Sequence, residues 1–94
     1  MANPAGWKGF FDLCREIKDP KTLQEFFTFF LTQEEMEMLS SRYCVVSALL
    51  EGKLTQREIA QKYGASIVQI TRGSNALKSA SPKLKSLLSW RSPR

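Results

Sequence analysis

The chain has 94 residues, of which 43% are hydrophobic and 24% are charged, and its net charge is +5. This length allows a single domain, residues 1–94, with a modest hydrophobic core. The chain contains no histidine, so it lacks the commonest general base and the commonest metal ligand. No pair of acidic residues has a plausible catalytic spacing. We therefore expect neither an enzyme nor a metal protein.

The sequence favours a cytoplasmic protein that does not contact membranes. No apolar run approaches the length of a bilayer span, and the first residues lack the apolar stretch of a signal peptide. Cys14 and Cys44 form no CxxC pair. Each falls on an apolar helical face, which predicts buried free thiols in a reducing compartment.

Charge is distributed unevenly along the chain. Residues 53–94 contain nine Lys or Arg and one acid, Glu58, whereas residues 1–52 contain five Lys or Arg and eight acids. A field of a single sign over half of a small domain is typical of a protein that binds the phosphate backbone of nucleic acid. A basic surface without a partner is the simpler alternative, so charge alone does not show that the protein binds nucleic acid.

The first two helices are predicted from apolar periodicity and helix-start signals. A first helix is expected from about Trp7 to Lys18. Asp19-Pro20 ends it and can restart the chain, since proline is tolerated in a first helical turn. Thr22, followed by Glu25 three residues later, matches a capping box and predicts the start of a second helix. That helix is expected to end near Leu31.

A long third helix is predicted next. Thr32 and Glu35 again match a capping box, and Gly52 is a natural terminator after Glu51. Apolar residues recur along this helix at helical spacing. They are Met36, Leu39, Tyr43, Val46 and Leu50.

The next segment, residues 54–75, reads LTQREIAQKYGASIVQITRGSN. Thr55 with Glu58, and Ser66 with Gln69, match capping boxes and predict the starts of two short helices. Gly64 lies between them, where the end of a helix commonly needs a left-handed backbone. Two capped helices joined so closely predict a helix-turn-helix over residues 54–78, whose second helix enters the major groove of DNA. An ordinary helical hairpin is the simpler alternative.

The rest of the chain predicts one more helix and a frayed end. Ser81-Pro82 matches a helix start, and the tail WRSPR, residues 90–94, is expected to fray. No internal repeat and no strand pattern longer than a few residues is evident. The predicted fold class is therefore all-α with six helices.

The phenylalanine-rich run FFTFFL, residues 26–31, predicts a homodimer. It offers more apolar surface than one short helix can bury within its own chain. A fully buried Phe contributes roughly 1.5–3 kcal/mol, so several exposed ones would cost as much as the whole stability of a small domain. Because the third helix offers a complementary apolar surface on a second copy, we expect folding and dimerisation to be one event.

Several runs together resemble the tryptophan-responsive Trp repressor family. The run ITRGSNALK, residues 70–78, is similar to the family signature, and LTQREIAQKYGAS before it and FFLTQEEMEMLSSRYCVVSALLEGKLTQRE, residues 29–58, also fit. The resemblance covers roughly Trp7 to Leu88. It implies an intertwined six-helix homodimer with a helix-turn-helix DNA-reading head. It also implies a tryptophan-activated, sequence-specific repressor of transcription for tryptophan biosynthesis or uptake genes, with operator DNA as partner.

The resemblance further implies that L-tryptophan, an allosteric co-repressor, binds between the third helix and the start of the recognition helix. Arg72 would pair with the carboxylate, because guanidinium is a planar bidentate donor, and Arg42 would lie against the indole face. The Thr32 hydroxyl would donate to the carboxylate, and backbone carbonyls would accept from the ammonium group. The implied ligand-binding set is Arg42, Arg72, Thr32, Gly73, Phe29, Leu31 and Ala76.

Each arginine also has a simpler alternative role. Arg42 would be a solvated charge on the third helix, and Arg72 would contact a DNA phosphate. The chain also departs from the family pattern. Ala76 stands where a serine is expected, Phe29 replaces a smaller aliphatic residue, and the pair Val68–Gln69 replaces two small residues. These changes put the operator sequence in more doubt than the ligand.

DNA contacts are expected from the starts of both helices of the pair. Side chains in the first turns of the second helix would reach base edges, whereas the start of the first helix and Lys78 suit phosphates. Among the residues expected to contact DNA, Ile67 is the one whose simplest alternative role is packing in the core. The predicted DNA-binding set is Gln56, Arg57, Ser66, Ile67, Val68, Gln69, Thr71 and Lys78.

Two other functions are compatible with these patterns. One is a ligand-independent helix-turn-helix regulator of the YerC-like branch, against which the pair Arg42 and Arg72 argues. The other is a helical interaction module that binds no DNA and uses the phenylalanine-rich helix as a partner surface. Salt-dependent DNA binding and a tryptophan titration separate the three.

Overall fold

The protein is all-α. A computed structural model describes residues 3–89, which form six helices and no strand. The predicted class and number of helices are therefore confirmed, while the tail, residues 90–94, lies outside the described residues. None of the helices in this described part is long and apolar enough to span a membrane. The helices are α1 (Pro4–Glu16), α2 (Pro20–Phe30), α3 (Gln33–Glu51), α4 (Gln56–Tyr63), α5 (Ile67–Ser79) and α6 (Pro82–Ser89).

The chain divides into two compact units, Met1–Glu35 and Met36–Arg94. In the first unit, α1 begins three residues earlier than the sequence predicted. Asn3 caps it, because its Oδ1 accepts from the backbone N–H of Ala5 at 2.9 Å and of Gly6 at 3.3 Å. Pro4 then occupies the first helical position, where its fixed φ and missing N–H are tolerated.

The predicted capping box at Thr22 and Glu25 was wrong. Helix α2 begins earlier, at Pro20, and its N-cap is Asp19, whose Oδ2 accepts from the backbone N–H of Thr22 at 2.9 Å. An acid before a proline is the better start signal, since proline fits the first helical position. Hydrogen bonds from Thr22, first from its side chain and then from its backbone N–H, lower the pKa of Asp19.

The two capping boxes at α3 and α4 are confirmed. Thr32 Oγ1 accepts from the Glu35 backbone N–H at 3.1 Å, and Glu35 Oε1 accepts from the Thr32 backbone N–H at 2.8 Å. Thr55 and Glu58 make the same reciprocal pair at 3.1 and 2.8 Å. The backbone N–H of Thr55, followed by its side chain, lowers the pKa of Glu58.

The connection between α4 and α5 is three residues long, Gly64–Ser66. Gly64 has φ 63° and ψ 29°, the left-handed conformation that the sequence predicted, and its N–H donates to the carbonyl of Ala60. Ser66 caps α5, since its Oγ accepts from the Gln69 backbone N–H at 3.1 Å. The turn chemistry alone therefore ends one helix and starts the next.

The core of the second unit joins α3, α4 and α5. It consists of Val45 and Ala48 from α3, Ile59 from α4, Ala65 from the turn before α5, and Ile70 from α5. Both isoleucines are 0% exposed. Because these side chains come from three helices and from the turn between two of them, their burial fixes how α5 lies against α3.

Helix α3 has a second apolar face that this core does not cover. The periodic residues predicted from the sequence are not the buried ones: Leu39 is 50% exposed and Tyr43 is 43% exposed. The residues of α3 that are buried are Val45, Ser47 and Ala48. A helix that is apolar on more than one side normally has neighbours on each of them.

The first unit contains an aromatic cluster and no buried residue in α1 or α2. The ring of Phe10 lies 5.1 Å from that of Phe26 and 5.5 Å from that of Phe30, measured between centroids. Phe29 is nevertheless 80% exposed. Cys14, which the sequence placed in a core, is free but only half-buried, as is Cys44 in the second unit.

The left-handed turn at Gly64 yields a stability prediction. No heavy atom lies within 4 Å of a Cβ added there, so Gly64→Ala introduces backbone strain and no clash. We expect it to lower the free energy of unfolding by about 1–2 kcal/mol, measured by urea denaturation. Gly64→Asn should cost less, because asparagine adopts this conformation more readily.

Gly9→Ala is the control for that experiment. Gly9 lies inside α1 with open space around its Cβ, so alanine should raise helix stability by roughly 0.5–1 kcal/mol. A Gly64→Ala protein as stable as the wild type would contradict the account of the turn.

Candidate functional site

A cavity of about 670 Å³ lies between α3 and α5 in the second unit. Its volume is within the range of small-molecule binding sites. Its walls combine apolar side chains with a few polar ones, which is the usual composition of such sites. The lining residues are Met38, Arg42, Val45, Val46, Ser66, Val68, Gln69, Arg72, Gly73 and Ala76.

One wall of the cavity is a face of α3. Met38, Arg42, Val45 and Val46 stand at spacings of four, three and one along the helix, so they share one side of it. Val45 is 1% exposed and belongs to the core as well. The core therefore forms part of the cavity wall and holds this side of α3 in place.

The other wall is a face of α5. Gln69, Arg72, Gly73 and Ala76 follow the i, i+3, i+4, i+7 pattern of one helical face. Two arginines from different helices, Arg42 and Arg72, thus line the same cavity.

Gly73 is where α5 comes close to α3. A Cβ added to it would lie 3.4 Å from Leu49 Cδ1, 3.7 Å from Val45 Cγ1 and 3.9 Å from Val46 Cγ2. These are ordinary packing distances, so a single methyl group would fit there without forcing the helices apart. The absence of a Cβ at Gly73 leaves that space to the cavity.

The lining has a definite charge preference. It includes two guanidinium groups and no acidic side chain. A guanidinium binds a carboxylate through two parallel N–H···O bonds and also stacks on flat rings. The arrangement therefore suits an anion attached to an apolar, planar group. No cluster of three potential metal ligands occurs among the residues that the structure describes.

The structure brings four of the predicted ligand residues together: Arg42, Arg72, Gly73 and Ala76 all line this cavity. The other three belong to the first unit. There Phe29 is exposed, Leu31 ends α2 with its N–H on the carbonyl of Phe27 at 2.8 Å, and Thr32 caps α3.

The residues predicted to contact DNA divide into two groups. Ser66, Val68 and Gln69 line the cavity, a position that the sequence analysis did not assign to them. Ile67, Thr71 and Lys78 lie on another side of α5 and are exposed. Ile67 is 53% exposed, so it is no part of the core. Gln56 and Arg57 are exposed at the start of α4.

The sequence analysis missed Met38, Val45 and Val46 as cavity residues. A signal was available, since they stand four residues before Arg42 and three and four residues after it. Those are the positions that share a helical face with an expected ligand residue. The sequence assigned Val46 to the apolar stripe of α3 and not to a ligand site.

Comparison with known proteins identifies the family. The sequence profile described as Trp repressor protein matches residues 5–91. A Trp operon repressor homolog of Chlamydia caviae is 56% identical over 87 residues, which cover 93% of this chain and 86% of that protein. A homolog of Chlamydia trachomatis serovar L2 is 54% identical over 84 residues, 89% of each chain.

More distant relatives agree. A Trp operon repressor homolog of Vibrio campbellii is 41% identical over 86 residues, covering 87% of this chain and 86% of that protein. A profile match over most of the chain and relatives above half identity leave one assignment: this chain belongs to the Trp repressor protein family.

Proposed function

We propose that this protein is a tryptophan-activated, sequence-specific DNA-binding repressor of transcription that acts on genes for tryptophan biosynthesis or uptake. The observation that carries the proposal is the placement of Arg42 and Arg72 on one cavity whose wall includes the first turn of α5. The names of the relatives, Trp operon repressor homologs, point to the same regulated process.

The cavity supports L-tryptophan as the co-repressor. Arg72 pairs with its carboxylate and Arg42 stacks on the indole, while Val45 and Val46 contact the ring. Ala76 lacks the hydroxyl of the family's serine, which weakens the hold on the ammonium group by about 1 kcal/mol, the net value of one hydrogen bond.

The resemblance adds Phe29, Leu31 and Thr32 to the proposed ligand set. The backbone carbonyls of Phe29 and Leu31 accept from the ammonium group, and Thr32 donates to the carboxylate. The Thr32 hydroxyl oxygen already accepts from the Glu35 N–H, and a hydroxyl can still donate its own proton while it does so.

Helix α5 also supports DNA recognition. We propose that residues 54–78 form a helix-turn-helix in which α5 enters the major groove. Ile67 and Val68 are apolar yet 53% and 64% exposed at the start of α5, where they can contact thymine methyl groups. Lys78 and the start of α4, with Gln56 and Arg57, suit backbone phosphates.

Ligand and DNA are coupled because both act on α5. Tryptophan in the cavity favours one placement of α5 relative to α3, which is a population shift. In a homodimer this placement sets the separation of the two reading helices. That separation must match successive major grooves, about 34 Å apart, a spacing known for helix-turn-helix dimers, Trp repressor among them.

The proposed homodimer is supported by uncovered apolar surface. Phe29 and Phe30 in α2, and Leu39 and Tyr43 in α3, are between 43% and 80% exposed in the single chain. A second copy would bury them, at roughly 1.5–3 kcal/mol for each fully buried side chain. We propose that both units, residues 1–94, form a single intertwined domain with their partner.

The first functional prediction concerns Arg72. Arg72→Ala removes the proposed carboxylate partner, so we expect tryptophan binding to fall below detection by calorimetry while the helical circular dichroism is retained. Arg15→Ala, which removes an exposed arginine of α1, is the matched control and should bind as the wild type does. Unchanged affinity in Arg72→Ala would remove the pocket assignment, whereas a wild type that binds no tryptophan would favour a ligand-independent regulator.

The second prediction separates holding DNA from reading it. With saturating tryptophan, Lys78→Ala should weaken binding to all duplexes alike and reduce the salt slope by about 1. Ile67→Ala should instead relax the preference at one base pair, by about 1 kcal/mol. Fluorescence anisotropy over a panel of single-base variants measures both. The same pattern for the two substitutions would refute the proposed orientation of α5.

The third prediction tests the dimer. Leu39→Asp should prevent association and unfold the chain, although Leu39 is 50% exposed in the single chain. Gln61→Asp adds the same charge at an exposed position of α4 and should change stability by no more than about 0.5 kcal/mol. Sedimentation and circular dichroism give the readout. A folded wild-type monomer at micromolar concentration would be the contrary result.

A further inference from the structure

We propose that the side chain of Gln69 accepts a hydrogen bond from the ring N–H of the bound indole, so that the cavity discriminates indoles from ring systems without that donor. This inference rests on the tryptophan pocket proposed above. It concerns the ring N–H of the ligand, which the two arginines cannot recognise because they only donate hydrogen bonds.

The position of Gln69 in the cavity carries the proposal. Gln69 is the third residue of α5, is half-buried and lines the cavity on the same helical face as Arg72. Three residues along a helix correspond to about 4.5 Å along its axis. This offset is comparable to the separation of the carboxylate and the ring nitrogen in tryptophan. A ligand whose carboxylate meets Arg72 can therefore place its ring N–H beside Gln69.

The other polar side chains of the lining are less suited to accept a hydrogen bond from an indole N–H. Arg42 and Arg72 are donors only, and the thioether of Met38 is a weak acceptor. The Ser66 Oγ already accepts from the backbone N–H of Gln69 at 3.1 Å, which leaves it one lone pair. Among the lining side chains, the amide oxygen of Gln69 is the acceptor that offers two lone pairs to an indole N–H.

The resemblance implies two small residues where this chain has the pair Val68–Gln69. A small side chain at the position of Gln69 does not extend along the cavity wall, whereas a glutamine reaches about as far as a methionine. The amide therefore adds a polar contact at the end of the cavity nearest the start of α5.

The experiment compares two ligands in the absence of DNA. L-Tryptophan and 3-benzothienyl-L-alanine differ in the ring position where sulfur replaces N–H. For the wild type we expect tryptophan to bind about 3- to 10-fold more tightly in calorimetry, which corresponds to the net value of one hydrogen bond. In Gln69→Met, whose side chain has similar length and no amide, the ratio should fall to about one.

Gln61→Met is the matched control, because Gln61 lies on α4 and is exposed, and it should keep the wild-type ratio. Omitting DNA removes any effect that Gln69 has on base contacts. Gln69→Ala provides a second variant with high helix propensity in case the methionine protein does not fold.

Two results overturn the inference while leaving the tryptophan pocket intact: a wild type that binds both ligands equally, or Gln69 variants that keep the wild-type ratio. Wild-type protein that binds neither ligand would instead overturn the proposed tryptophan response, and this inference with it.

Discussion

The burial of Ile70 against α3 and α4 is the interaction on which the rest of the structure depends. Ile70 and Ile59 are completely buried, and they pack with Val45 and Ala48 of α3. Once Ile70 faces the core, helical geometry determines where the other residues of α5 lie. One flank, which includes Arg72, then faces the cavity, and the opposite flank remains exposed. The proposed ligand site and the proposed DNA surface therefore follow from one buried side chain.

This arrangement gives the proposed regulation a physical basis. Coupling between two sites requires an element whose placement both ligands change. Helix α5 is the element we propose for this role, since its cavity side carries Arg72 and Gly73 and its exposed side carries Ile67 and Lys78. A ligand that bridges Arg42 and Arg72 acts on the distance between α3 and α5. In the proposed dimer, α3 belongs to the shared core, so this distance sets the position of the reading helix.

The sequence predicted best what is determined locally. The caps at Thr55 and Ser66 and the left-handed Gly64 each depend on a few neighbouring residues, and all three are found. The start of α2 was harder to predict, because both Asp19-Pro20 and Thr22 with Glu25 matched helix starts, and the cap was assigned to Thr22 when it is Asp19. What required packing was not predictable. Helix α3 is apolar on several sides, so its periodicity could not show which side the core covers. The position of Gln69 on the cavity wall likewise depends on how α5 packs against α3.

The most direct test of the account measures the mutual effect of tryptophan and DNA. A preferred duplex is first selected from random sequences with tryptophan present. Its affinity is then measured by fluorescence anisotropy with and without tryptophan, at one salt concentration. The account predicts that tryptophan raises the affinity for DNA by roughly 5- to 150-fold, and that the duplex raises the affinity for tryptophan by the same factor. Equal DNA affinity in both conditions would contradict the central claim.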